Sequence, residues 1–137
     1  MTDCEFCHII AGESPGSFVY EDEVSLALLA LRPMNRGHTL IIPKTHAASL
    51  AELDEGVGGH LFEAAMNVAE LLRESPIKCD GVNLWLADGP VAGQEVFHVH
   101  LHVLPRFEED SIRLEADRID PSRKEMNATA EQIRSAI

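Results

Sequence analysis

Nine residues, HVHLHVLPR from His98 to Arg106, constrain this chain more than any other segment. Apolar residues and imidazoles alternate with a period of two, the period of a β-strand, whose successive side chains leave opposite faces. His98, His100 and His102 are therefore expected on one face, successive rings about 7 Å apart, with Val99, Leu101 and Val103 turned to a core. The strand is read from about Val96 to Leu104 and is closed by Pro105. A solvated strand face is served by Thr, Lys or Glu, so three successive imidazoles point to chemistry. Two chemistries stay open at this stage. Neighbouring histidines can share a metal ion, but the carboxylate usual three or four residues later is missing: that window holds Leu104 and Pro105, and the first acid is Glu108. Alternatively, one neutral imidazole attacks a phosphoryl group while its neighbours supply positive charge.

The remaining segments supply a scaffold for such a strand. Phe18 to Tyr20 and Val24 to Leu31 read as strands separated by the turn Glu21, Asp22, Glu23, and Thr39 to Pro43 has the β-branched density of a buried strand. Arg32 to Gly37 reads as a loop. Gly56 to Ser75 is a long helix, with Leu61, Ala65, Val68 and Leu72 at helical spacing and Pro76 as its stop. Val82 to Ala87 alternates as a strand, Val82, Leu84 and Leu86 sharing a face, and DGPVAGQE follows as a loop in which Gly89 and Gly93 permit close backbone approach to a ligand. After Arg106 the chain is polar, until Asp120 and Pro121 read as the cap and first residue of a short amphipathic helix edged by Met126, Ala130, Ile133 and Ile137. Such a helix is expected to pack on its own domain or on a dimer partner. Locally paired strands with few long helices make an α+β fold with a mainly antiparallel sheet, divided into a domain over 1–106 and an extension over 107–137.

Charge narrows the partners. Lys and Arg number 11 against 23 Asp and Glu, a formal charge of −12. Such a field repels nucleic-acid backbones and anionic membranes, so an anionic ligand needs a local, sheltered positive site. No run approaches the roughly 18 apolar residues of a membrane span, and the start MTDCEFCH has no basic region ahead of an apolar stretch; a cytoplasmic protein is expected. His8 and His60 have no nameable partner and are expected at the surface.

Cys4 and Cys7 have zinc-ligand spacing, and zinc commonly completes its four ligands with distant histidines. A redox pair is the rival, weakened because these cysteines do not follow a strand in a β-α-β unit; two inert thiols is the third reading. Cys79 reads as a small, partly buried hydrophobe.

Beyond HVHLHV, the segments CEFCHIIAGESP, VYEDE, RGHTLIIPKTH from Arg36 to His46, DGVNL and AGQEVFHVHLHVLPR resemble, in order, those of the histidine triad family, over Cys4 to Arg106. The resemblance implies an α+β domain whose sheet continues across a homodimer. It also implies a hydrolase or transferase acting at the α-phosphate of a substituted nucleotide: a phosphoramidate, a dinucleoside polyphosphate or an adenylylated amine, with a purine base. By position, His100 would attack phosphorus to give a nucleotidyl-histidine, His102 would hold the phosphate oxygens, and His38 would sit beside them. Gln94, with Gly93 and the backbone around Glu95 and Val96, would complete the anion site. A structural zinc would be held by Cys4, Cys7, His46 and His98, leaving no catalytic metal. The chain departs from the family at Ala30, where many members carry an aspartate for the ribose, at Ala87, where an asparagine is common, and at Glu95, where Ser or Thr follows the glutamine. Two unit charges about 4 Å apart at an effective dielectric of about 20 repel by roughly 4 kcal/mol, so Glu95 is expected to turn away from a bound phosphate. The alternative function is a zinc-stabilised nucleotide-binding or interaction module with little turnover.

Overall fold

In the computed structural model, which describes residues 3–137, the order is α1 (Glu5–Ile10), β1 (Phe18–Glu21), β2 (Ser25–Leu29), β3 (Thr39–Pro43), α2 (Glu55–Glu74), β4 (Gly81–Leu86), β5 (Leu101–Arg106) and α3 (Arg123–Arg134), with short 3-10 turns at Leu50–Glu52 and Pro90–Ala92. The five strands form one antiparallel sheet in the order β1-β2-β3-β5-β4, an α+β architecture.

Both faces of this sheet are covered, which explains why β2 and β3 read as continuous apolar runs rather than alternating ones. Ala27, Ile41, Leu101 and Val103 meet Leu61, Ala65, Val68 and Leu72 of α2. Leu26, Leu28, Leu40 and Ile42 meet Phe6 and Ile9 of α1 on the other side. Each helix begins on a side chain that satisfies an otherwise orphaned N–H. Cys4 Sγ accepts from the amide of Cys7 in α1, and Asp54 accepts from that of Val57 in α2.

The strand register places the histidines. Leu40, His102 and Trp85 lie side by side across β3, β5 and β4, and Ile41, Leu101 and Leu86 form the next row. Because neighbours in register share a face, the first row opens beside α1 and the second packs under α2.

Three expectations need correction. The histidine strand begins at Leu101, not Val96, because the segment ahead of it bonds elsewhere: the Val99 amide donates to Ala47 C=O at 2.8 Å. The alternation nevertheless persists through this segment, Val99 entering the α2 core while His98 and His100 pack on Phe6. Pro105 does not close the strand either. Pairing with β3 ends at Val103, so Pro105 stands where only β4 flanks it and its missing N–H is tolerated. Third, the last helix is capped by Ser122, two residues beyond Asp120, since Ser122 and Glu125 form a reciprocal capping box that satisfies two orphan amides.

No residue of α3 is buried within the chain. The segment between β5 and α3 is tied back at its start. Asp110 accepts from both Arg106 Nε and Nη2, from the amides of Phe107 and Ile112, and from Asn35 Nδ2. No helix among the described residues is long and apolar enough to cross a membrane.

Candidate active site and metal centre

A cavity of about 770 Å³ opens on the α1 side of the sheet. Its floor is the row Leu40, His102 and Trp85, with His38 and His100 beside it; Phe6, Ile9 and Leu28 supply apolar wall. Such a chamber, mostly apolar with a few converging polar groups, suits a small organic ligand.

Within it, hydrogen bonds to the main chain set the proton on each imidazole. The Met34 amide donates to His38 Nδ1 at 3.1 Å, so the neutral ring of His38 carries its proton on Nε2. That proton is donated to His102 Nδ1, 2.9 Å away, which leaves His102 with an N–H at Nε2. His100 has the reverse arrangement: its Nδ1 donates to the carbonyl of His98 at 2.8 Å, and its Nε2 keeps a free electron pair. A donor and an electron pair therefore stand side by side on rings whose centroids are 5.0 Å apart.

Electrostatics favours the neutral form of His38 and His102. Burial, then the neighbouring His100 and His38, lower the pKa of His102 to about 4. Burial, then His100, lowers that of His38 as well. The N–H that His102 turns to the cavity thus belongs to a neutral ring.

Next to the cavity lies a second cluster. Cys4, Cys7, His46 and His98 each offer one donor atom, all four within 4.8 Å of one another. The contacts are 3.3 Å for Cys4 Sγ to His98 Nδ1, 3.4 Å for Cys7 Sγ to His46 Nδ1, 3.7 Å for Cys7 Sγ to His98 Nδ1, and 3.1 Å between the two Nδ1 atoms. A tetrahedral Zn²⁺ bonded at about 2.0–2.1 Å to nitrogen and 2.3 Å to sulfur sets ligand edges of about 3.3–3.8 Å, so the cluster fits that ion. The proton arrangement fits too. His98 Nε2 donates to the Pro43 carbonyl at 2.8 Å, and its Nδ1 lone pair is left facing the sulfurs. Burial, followed by the adjacent Cys4, raises the Cys7 thiol above its ordinary pKa, as expected where two thiolates crowd together without a cation.

The two clusters share components. His98 offers its ring to the metal set and its carbonyl to His100. Phe6, between the two cysteines in sequence, packs edge-on against both rings, at 5.7 Å from His98 and 5.2 Å from His100.

Other predicted residues fall in different places. Gln94 is turned inward: its Nε2 donates to the carbonyls of Ala48 and Val96, and its Oε1 accepts from the Gly89 amide. It is not among the residues lining the cavity, so its side chain shapes the loop rather than facing a ligand. Gly93 and Val96 do line the cavity, and Gly89 and Gly93 have φ of +105° and +99° with open space around them, as close backbone approach requires. Glu95 is exposed and borders both the cavity and a smaller hollow beside Cys4 and His46. Ala30 lines the cavity, whereas Ala87 is buried. His60 does have a partner: its Nε2 lies 2.7 Å from Asp22 Oδ2, which also accepts from Tyr20. His8 pairs with Glu13. Phe6, Met34, Asn35 and the stretch Ile112 to Leu114 carry no sequence signal of their own, because their roles come from main-chain atoms or from neighbours distant in sequence.

A HIT domain matches residues 11–109. The chain is 38% identical to a protein of known structure from Streptococcus mutans, with a TM-score of 0.93 over 99% of this chain and 86% of that one. It is also 38% identical to a zinc-bound histidine triad family protein of Mycobacterium smegmatis, with a TM-score of 0.79 and 99% of each chain covered. An adenylylsulfatase of Arabidopsis thaliana is 40% identical over 115 residues, which is 82% of this chain and 56% of the plant protein. The chain belongs to the HIT domain family, whose members include that plant adenylylsulfatase.

A pH prediction follows from the buried rings. His102 binds a proton near pH 4 when folded and near 6.5 when unfolded, so between these values the unfolded chain holds more protons. Folding stability should be full above about pH 6.5 and fall as the pH drops towards 4. Urea unfolding across this range should show the decline, shallower in His102→Asn, which cannot titrate; equal declines in the two proteins would refute the assignment.

Proposed function

We propose that the protein hydrolyses or transfers nucleotides at a substituted α-phosphate, with His100 as nucleophile. The observation that carries this reading is the opposed protonation of two adjacent rings, His100 with an electron pair at Nε2 and His102 with a proton there. In the first step Nε2 of His100 forms a bond to phosphorus while the bond to the leaving group breaks, its electron pair departing with that group, which takes up a proton. In the second, water attacks phosphorus and gives up a proton, balancing the one taken up by the leaving group, the P–N bond returns its pair to His100, and the nucleotide is released. As Nε2 becomes bonded to phosphorus the ring gains positive charge, and the His98 carbonyl at Nδ1 stabilises it. His102 Nε2–H donates to the phosphate oxygens, and His38 positions His102. Gly93 and the backbone near Glu95 and Val96 approach the same group, and the apolar wall suits a purine.

Cys4, Cys7, His46 and His98 would hold a structural zinc, which when bound ties α1 to the end of β3 and to the segment ahead of β5. The zinc-bound relative from M. smegmatis supports this reading. The free thiols of Cys4, Cys7 and Cys79 suit a reducing compartment such as the cytoplasm. A homodimer would cover the edge strand β4 and the exposed Phe62 and Met66 of α2, with the apolar edge of α3 against the partner.

His100→Asn should lower kcat on a fluorogenic adenosine phosphoramidate by several powers of ten with little change in AMP affinity, and His102→Asn should weaken both. Turnover by His100→Asn within about tenfold of wild type, equivalent to about 1.4 kcal/mol of barrier, would leave only the binding-module reading. Elemental analysis should find about one zinc per chain, and chelation should lower the melting temperature; less than about a tenth of an equivalent would remove the zinc. Light scattering should give a dimer mass at micromolar concentration, and a monomer mass would refute the dimer.

A further inference from the structure

The donor that His102 turns to the cavity depends on a bond two steps away. His38 Nε2 and His102 Nδ1 lie 2.9 Å apart with one proton between them. Two arrangements satisfy that contact equally well. Either His38 donates and His102 keeps its N–H at Nε2, or His102 donates from Nδ1 and its Nε2 is left with an electron pair. The second arrangement also moves the His38 proton to Nδ1, so each ring stays neutral in both. An anion beside His102 Nε2 receives a hydrogen bond in the first and meets a lone pair in the second. What separates them is the Met34 amide, 3.1 Å from His38 Nδ1, since two N–H groups cannot face each other across that contact.

Met34 lies in the loop between β2 and β3, outside any strand or helix, and its neighbour Asn35 supplies the anchor. Asn35 Nδ2 donates to the Pro105 carbonyl at 2.9 Å and to Asp110 Oδ2 at 3.0 Å. The Asn35 carbonyl accepts from the His38 amide at 3.1 Å, closing a turn over Arg36 and Gly37 in which Gly37 takes a φ of +94°. Pro105 belongs to β5, so the loop is tied to the strand that carries His102. Asp110, its side chain only 6% exposed, is itself held by Arg106 and by the amides of Phe107 and Ile112. Neither Asn35 nor Asp110 lines the cavity, so any effect they have on a ligand passes through the histidines.

We propose that Asn35, braced by Asp110, is a positioning residue: it aims the Met34 amide at His38 and thereby keeps the His102 proton on Nε2, beside the cavity. The consequence for binding rests on the nucleotide reading above, in which that N–H meets the phosphate oxygens. The proton arrangement itself is a property of the ligand-free protein.

The test is heteronuclear NMR of the imidazole nitrogens in the full-length protein without ligand, together with AMP and adenosine affinity by titration calorimetry. In wild type at neutral pH, His38 and His102 should each carry their proton on Nε2. Asn35→Ala should move a large share of both rings to the Nδ1-protonated form and weaken AMP binding about tenfold, the loss expected of one hydrogen bond to a charged group. Adenosine, which lacks the phosphate, should bind both proteins alike. Asp110→Asn, which leaves the Asn35 bond to Pro105 in place, should act in the same direction to a lesser degree, and it decides the matter should Asn35→Ala not fold. A lower melting temperature with unchanged ring protonation is what a merely structural role gives, and it overturns the proposal. So does a wild-type His102 protonated at Nδ1. Ring protonation that shifts as expected in a protein whose wild type binds no AMP supports the proposal and overturns the nucleotide reading.

Discussion

A buried imidazole loses its hydration, and each polar nitrogen must find a partner; whether that partner is a donor or an acceptor decides where the proton sits. In this protein main-chain groups make that decision. The Met34 amide sets His38 and, through it, His102; the His98 carbonyl sets His100; the Pro43 carbonyl sets His98. Three histidines spaced two residues apart on one chain thereby acquire three different reactive faces: a lone pair towards two sulfurs, a lone pair beside the cavity, and a donor beside it. Without those main-chain partners the rings would be chemically equivalent.

The sheet makes this possible because both of its faces are closed. α2 seals one side, so Leu101 and Val103 can anchor the histidine strand, and α1 partly closes the other, so burial favours the neutral form of His102. Phe6 belongs to both requirements. Its ring fills the α1 core and lies edge-on to His98 and His100, joining the metal cluster to the cavity by packing as well as through the His98 carbonyl. A chain with an overall charge of −12 can still offer an anion a local N–H donor, such as the one His102 turns to the cavity.

Much of this was legible in the residue order. The Leu61, Ala65, Val68, Leu72 stripe marks α2, and Thr39–Pro43 is a strand to the residue. The four metal-binding candidates do converge, although they come from three separate segments. What failed to show was of one physical kind. Gln94 carries the same amide whether it faces a ligand or braces a loop, and only the positions of Ala48 and Gly89 distinguish the two. His60 found Asp22 because two segments 38 residues apart meet. Ser122 displaced Asp120 as the helix cap because a reciprocal pair with Glu125 outcompetes a single cap.

The sequence by itself determined which side chains share a face, since period-two alternation puts His98, His100 and His102 opposite Val99, Leu101 and Val103 whatever surrounds them. It also determined the family, and with it the order of strands and helices. Only the tertiary structure decided on which nitrogen each ring carries its proton. That assignment depends on hydrogen bonds to Met34, Pro43 and His98 and on burial under α1, contacts between residues up to 64 positions apart. Long-range main-chain partners of this sort leave no trace in side-chain identity, because every residue but proline offers the same N–H and every residue the same C=O.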